Sequence, residues 1–109
     1  MAHEKYQHQI EACNECAVTC GHCAIECLKE EHAEELRKCI QLNLDCAAIC
    51  RTAAELMSRG SEFAERFNER CAEICNSCAE ECEKHSHMEH CKHCAEICRK
   101  CADACMEMV

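Results

Sequence analysis

The chain has 109 residues, a formal net charge of −9 and seventeen cysteines, but only one Tyr, two Phe and no Trp or Pro. That length fits a single domain over residues 1–109 and leaves no room for two ordinary cores. The acidic balance argues against nucleic acid and against anionic membrane surfaces as partners, since both select basic patches.

The opening segment MAHEKYQHQIEAC carries no apolar run of the signal-sequence type, and no stretch approaches the roughly 20 apolar residues of a membrane span. The expected location is the cytoplasm, where thiols stay reduced. The first predicted helix runs from about residue 4 to 29 and carries Cys13, Cys16, Cys20, Cys23 and Cys27 at steps of 3, 4, 3 and 4. A second helix over about 33–58 carries Cys39, Cys46 and Cys50. Ser58-Arg59-Gly60-Ser61 is the clearest turn, with Gly60 as a C-terminal cap and Ser61 as an N-cap. The third helix then runs to about residue 84 with Cys71, Cys75, Cys78 and Cys82. The fourth covers about 88–107 with Cys91, Cys94, Cys98, Cys101 and Cys105, again at steps of 3, 4, 3 and 4. Moving the third cysteine set back by 32 residues lays Cys71, Cys78 and Cys82 on Cys39, Cys46 and Cys50, with Asn43 where Cys75 falls. One helical unit is thus used four times. Short connections between long helices predict an all-α, antiparallel up-down-up-down four-helix bundle.

Alternating steps of 3 and 4 are the a and d positions of a heptad, a stripe along one helix face. The e positions beside that stripe read Ile10, Ala17, Ala24, Ile40, Ala47, Ala54, Ala72, Ala79, Ala95 and Ala102. The g positions include Ala12, Leu42, Ile49, Leu56, Ile74, Ile97 and Ala104. Apolar shoulders therefore flank a sulfur-lined seam, and mostly charged residues fill the b, c and f faces. Leu36 and Met57 read as ordinary core at the ends of the second helix's seam. Asn43 has three readings: a hydrogen bond across the bundle, a register device, or a weak ligand.

Buried cysteine packs as a small hydrophobe, and for any one seam position that reading suffices. For seventeen positions, with Leu displaced from nearly every layer, it does not. Disulfides fit poorly: the cysteine count is odd, and helical neighbours have Cβ atoms about 5–6 Å apart against about 3.8 Å in a disulfide. A metal ion with bonds of roughly 2.3 Å spans two sulfurs about 4–4.5 Å apart, a range that both Cys-x-x-x-Cys and Cys-x-x-Cys pairs are expected to reach. Thiolates select Cu(I), zinc or iron–sulfur clusters. Tetrahedral zinc would number about four ions and bury a charge of roughly −8 with no Lys or Arg in the seam. Iron–sulfur clusters favour close Cys runs on loops with a proline. Cu(I) with bridging thiolates approaches one ion per sulfur and leaves the core near neutral. The seventeen cysteines are accordingly the candidate ligands for many Cu(I) ions per chain, with a zinc-buffering or thiol redox-sensing module as the alternative. No acid–base pair, Ser/His/Asp set or cofactor loop marks an enzyme.

In this topology the first–second and third–fourth connections share one end. That end gathers His32 with His85, His87, Met88 and His90. Imidazole and thioether are intermediate-to-soft ligands, so His85, His87, His90 and Met88 are candidate weak sites that pass ions inward; the bland alternative is a His-rich polar connection. His22 and His93 fall at c positions and are expected to face solvent. His3, His8, Met106 and Met108 lie at the opposite end.

Three elements carry a resemblance: Cys13-x-x-Cys16-x-x-x-Cys20-x-x-Cys23-x-x-x-Cys27, Cys39-Ile-Gln-Leu-Asn-Leu-Asp-Cys46-Ala-Ala-Ile-Cys50, and His85-x-His87-x-x-His90-Cys91-x-x-Cys94. Over nearly its whole length the chain resembles the cytosolic branch of the bacterial copper storage proteins. The resemblance implies a four-helix bundle that stores many Cu(I) ions along its core without catalysis, often as a homotetramer, with metal admitted at the His-bearing end. Similar proteins tend to carry an acidic residue where this chain has Asn43, which bears on the copper arrangement at that layer.

Overall fold

The computed structural model describes residues 2–107. A one-turn helix α1 (Ala2–Lys5) leads into α2 (Gln7–Leu28); α3 (Arg37–Ser58), α4 (Ala64–Glu83) and α5 (Glu89–Met106) follow, and no strand occurs among the described residues. Helices α2 to α5 are the four expected from the cysteine stripes. The first is interrupted at Tyr6, whose φ of −108° and ψ of 16° leave the helical region before α2 begins. A 3₁₀ turn, Ala33–Leu36, precedes α3 and takes up the start of the predicted second helix. The molecule is a rod of 47 × 18 × 18 Å.

The α3–α4 turn follows its residues closely. Gly60 has a φ of 62°, a left-handed conformation that glycine adopts without a Cβ penalty. Its N–H donates to Met57 O at 3.1 Å, and the Ser61 N–H donates to Leu56 O at 2.9 Å. These two bonds make a Schellman motif, which satisfies carbonyls that the end of α3 would otherwise leave free. The Ser61 hydroxyl accepts the Phe63 N–H at 3.1 Å and closes the turn; α4 starts at Ala64 with Phe63 as its N-cap and without a side-chain capping bond, so Ser61 lies two residues short of the expected N-cap position.

The order of the core contacts fixes the topology. Along α2, Cys13, Cys16, Cys20 and Cys23 meet Cys105, Cys98, Cys94 and Cys91 of α5, so the two helices run in opposite directions. Along α3, Cys39, Cys46 and Cys50 meet Cys82, Cys75 and Cys71 of α4, again in reverse order. The e-position alanines are buried as expected. They line the α2–α3 and α4–α5 seams, where Ile10 and Ala54 share one groove and Ala95 borders another. The bulkier g residues Leu42, Ile49, Leu56, Ile74 and Ile97 are only half-buried and pack against the core from outside. Small residues at e let the paired helices approach closely, and the g side chains close the wider seams.

Candidate metal centre

All seventeen cysteines are free and buried, sixteen with no exposed area and Cys101 with 1%. Their sulfurs form a column along the bundle axis. Across helices the shortest approaches are Cys46–Cys75 at 3.4 Å, Cys39–Cys82 and Cys20–Cys98 at 3.5 Å, and Cys13–Cys105 and Cys50–Cys71 at 3.6 Å. Within helices, bonded thiols are always four residues apart: Cys16–Cys20, Cys71–Cys75 and Cys94–Cys98 at 3.9 Å, and Cys23–Cys27 and Cys46–Cys50 at 4.0 Å.

Sulfurs three and four residues apart on one helix behave differently. Cys-x-x-x-Cys pairs meet, whereas no Cys-x-x-Cys pair makes a thiol–thiol hydrogen bond among the described residues. Helical side chains lean back toward the preceding turn, which stacks sulfurs four apart and directs those three apart into neighbouring inter-helix contacts. The tightest sulfur neighbours therefore come from different helices.

Several sulfur sets have all members within 4.8 Å of one another: Cys13, Cys71, Cys101 and Cys105; Cys16, Cys46, Cys50 and Cys75; Cys16, Cys20, Cys46 and Cys98; Cys20, Cys78, Cys94 and Cys98. Shared members join the last three, and the Cys50–Cys71, Cys50–Cys101 and Cys71–Cys75 contacts tie the first to them, giving a polynuclear array. A metal bridging two sulfurs at about 4–4.5 Å would push the bonded thiols apart by only several tenths of an ångström.

Protons are unevenly shared along the column. Hydrogen bonds from Cys101 and Cys105 pull the Cys13 thiol down to about 6. Cys16 is likewise lowered, by Cys101 and Cys20, while Cys50, bonded to Cys101 and Cys13, is pushed up. A thiolate is stabilised where several S–H donors converge, at the expense of the donors. Such converging sulfurs release a proton most readily when a soft cation arrives.

At the end shared by the α2–α3 and α4–α5 connections the column closes on a mixed set, Cys23, Cys27, Cys91 and His90, again within 4.8 Å. His90 Nδ1 lies 3.5, 3.6 and 4.0 Å from the sulfurs of Cys23, Cys91 and Cys27, and its Nε2 lies 2.9 Å from Glu30 Oε2. Burial disfavours the imidazolium, but the contacts with Cys23 and Glu30 outweigh it and raise the His90 pKa. Glu30 also holds Nε2 as the protonated nitrogen of the neutral ring, leaving the Nδ1 lone pair facing the sulfurs, where it accepts an S–H or can ligate a metal.

The other predicted mouth residues stand one step further out. His85 Nε2 is 3.2 Å from Glu81 Oε2. His85, His87 and Met88 line a cavity of 270 Å³ with His32, Glu30 and Glu35. Of the four, only His90 reaches thiols. His22 and His93 are exposed, as expected. At the opposite end His8 lies 3.8 Å from Glu107 and both are exposed; the side chain of His3 and the whole of Met108 fall outside the described residues.

Leu36 and Met57 are core, as expected. Asn43 is fully buried and bonds across the bundle: its Oδ1 accepts from Cys78 at 3.1 Å, Cys94 at 3.2 Å and Cys82 at 3.8 Å, and its Nδ2 donates to Cys39 at 3.8 Å. Two polar features were not singled out in the sequence. Glu30 lies 60 residues from His90, and no local spacing links them. Asn68 is fully buried, donates to Met57 Sδ at 3.3 Å and leaves Oδ1 without a partner; its place at an a position, seven residues before Cys75, was the available signal.

A four-helix bundle with a continuous column of soft donors in place of a hydrocarbon core is a multinuclear metal-binding protein, not a single-ion site. Comparison with known proteins gives that class a family: the model described as copper storage protein matches residues 2–109, and the chain belongs to that family. Among solved structures, copper storage protein 3 from Bacillus subtilis in its apo form is 41% identical with a TM-score of 0.88, covering 94% of this chain and 96% of that one. Its Cu(I)-bound form, at 39% identity and a TM-score of 0.89, covers 99% and 98%. A cytosolic copper storage protein from Streptomyces lividans with five coppers is 38% identical with a TM-score of 0.93, covering 98% and 93%. The uncharacterized cysteine-rich protein YhjQ of Bacillus subtilis (strain 168) is 42% identical over 83 residues, 76% of each chain.

Proposed function

We propose that residues 1–109 act as one storage domain that sequesters many Cu(I) ions in bridged thiolate clusters, in the cytosol and without catalysis. The observation that carries this reading is the unbroken burial of seventeen reduced thiols spaced only slightly closer than a metal bridge requires. Cytosolic placement follows the Streptomyces relative, which is described as cytosolic, and among the described residues no helix is long and apolar enough to cross a membrane. Copper enters at the mouth, where His90, assisted by His85, His87 and Met88, hands ions to Cys23, Cys27 and Cys91. The remaining thiols are then filled along the column.

An anaerobic Cu(I) titration of the reduced protein against a chromogenic chelator, with zinc in parallel, tests the reading. More than about ten Cu(I) per chain, approaching one per thiol, is the expected result. Saturation at about four ions with effective zinc competition would instead make this a zinc module. The metal-free chain should already be helical, because the alanine shoulders are buried and the half-buried isoleucines pack against the core without metal.

We also propose a homo-oligomer, a tetramer by family resemblance. Val18, Ile25 and Leu28 of α2 and Leu44 of α3 are exposed large apolar side chains, 53–74% accessible, and they project from the outer faces of the paired helices α2 and α3. On α4 and α5 the exposed large apolar side chains, Phe67 and Met106, sit near the helix ends, and the outer faces between them are charged, with Glu73, Glu80, Glu96 and Arg99. Apolar surface of the first kind favours a partner. Ile25→Glu with Leu44→Glu should shift sedimentation toward monomer; an unchanged mass would remove α2–α3 as the interface.

A further inference from the structure

One group of donors at the mouth stands outside the thiol column. His32, His85, His87 and Met88 share the wall of the 270 Å³ cavity with Glu30 and Glu35, and among the described residues no cysteine lines it. At about 30 Å³ per water molecule, that volume takes an ion with part of its hydration shell. His85 is the fixed member. Its Nε2 lies 3.2 Å from Glu81 Oε2, and Glu81 Oε1 is held in turn by Lys84 at 3.3 Å and Lys38 at 3.9 Å. Glu81 is a buried carboxylate, 8% exposed, near the end of α4. It keeps the ring proton on Nε2 and leaves the Nδ1 lone pair as the ligand atom of His85. The His87 ring sits edge-on to that of His85, with centroids 6.5 Å apart and planes at 65°. Two imidazoles on one tetrahedral ion, with bonds of about 2.0 Å, have centroids about 5 Å apart. His87 is exposed and closes that gap by a small inward turn.

We propose that this cavity is a second metal site, separate from the thiol column, that holds one divalent cation of the zinc type on His32, His85 and His87, with water or a cavity carboxylate in the fourth position. The donors decide the ion. Imidazole and carboxylate suit zinc, whereas thiolates draw Cu(I), and the column beside the cavity offers Cu(I) seventeen of them. Charge points the same way. Glu30, Glu31 and Glu35 surround the cavity and offset a double positive charge, while the column has no carboxylate to do so. Glu81 is the positioning residue. A ligating histidine commonly gives its other N–H to a carboxylate, which fixes the ring and raises its basicity. The two lysines on Oε1 secure that carboxylate and leave Oε2 to the ring. The site shares His85, His87 and Met88 with the copper path proposed above, but it does not depend on copper being stored.

The test is zinc binding to protein whose thiols are already occupied. Zn(II) is titrated calorimetrically and anaerobically into the chain saturated with Cu(I), and a single zinc per chain is expected. His85→Ala should abolish that binding, and Glu81→Gln should weaken it by about 10–100-fold. Lys84→Met removes an ion pair of Glu81 but not its contact with His85, and should leave the affinity nearly unchanged. A loss as large as that of Glu81→Gln would overturn the positioning role. Co(II) in place of zinc should give d–d bands without sulfur-to-cobalt charge transfer. A charge-transfer band, no zinc uptake by the loaded chain, or unchanged affinity in His85→Ala overturns the site. Circular dichroism verifies that each variant folds; should Glu81→Gln fail, His85→Ala and the cobalt spectrum decide. Copper uptake that stops at about four ions overturns the storage reading and leaves this site to be read from the cobalt spectrum. Full copper uptake without zinc binding overturns only the site.

Discussion

The two ends of the thiol column are built for different tasks. At the mouth, His90 is held by Glu30 against three sulfurs, and beside it lies an open cavity rimmed by His32, His85 and His87. At the far end the column stops against Met57, Ala53, Ala64 and Asn68, all 0–1% exposed, with Ile10 over them. One end offers polar donors that solvent can reach; the other is dry and sealed. The far end accordingly sets how firmly the apo bundle holds together, and the mouth sets how metal moves.

The contrast breaks first, and with the largest effect, at Met57. Met57→Ala empties a fully buried site and should cost about 2–5 kcal/mol of apo stability in urea unfolding, while leaving the initial rate of copper uptake unchanged. His90→Ala at the mouth should do the reverse, slowing uptake with little loss of stability; equal stability losses from the two substitutions would end the distinction. A smaller effect, of opposite sign, is expected at Asn68, whose Oδ1 is buried without a partner. Asn68→Leu removes that desolvated carbonyl and should raise stability by about 1 kcal/mol; a loss of that size would show that its bond to Met57 matters more.

The smallest effect is the His90 titration in the metal-free protein. The folded pKa is raised above 6.5 by Cys23 and Glu30 against the opposing effect of burial. The protonated ring therefore contributes stability that is complete below about 6.5 and lost as pH rises through the folded value. An NMR titration should place the His90 midpoint above 6.5, and Glu30→Gln should lower it. A midpoint indifferent to Glu30 would mean that the carboxylate does not orient the ring.

Nearly all of the fold and the thiol set was legible in the sequence, because a heptad stripe translates directly into one buried helix face. Each cysteine at an a or d position is buried, and Gly60 caps α3 as its neighbours predict. Contacts that depend on how helices meet were less legible. Cys46 and Cys75 are 29 residues apart, and their 3.4 Å approach depends on the relative shift of two helices, which no single stripe encodes. The Glu30–His90 pair joins the end of one helix to the start of another for the same reason. Asn43 was visible as the mismatch in the repeat, but that its carbonyl gathers thiols from two helices emerges only in three dimensions.

Tyr6, where α1 breaks before α2, has an optical consequence. With no tryptophan in the chain, its phenol is the only strong near-ultraviolet chromophore and the only useful intrinsic fluorophore. It packs against the core from the sealed end of the rod, most of the molecule's length from the mouth. A change in tyrosine emission during loading therefore reports arrival at the deepest layer, while the thiolate–copper absorption bands, unobscured by indole, count the ions already inside.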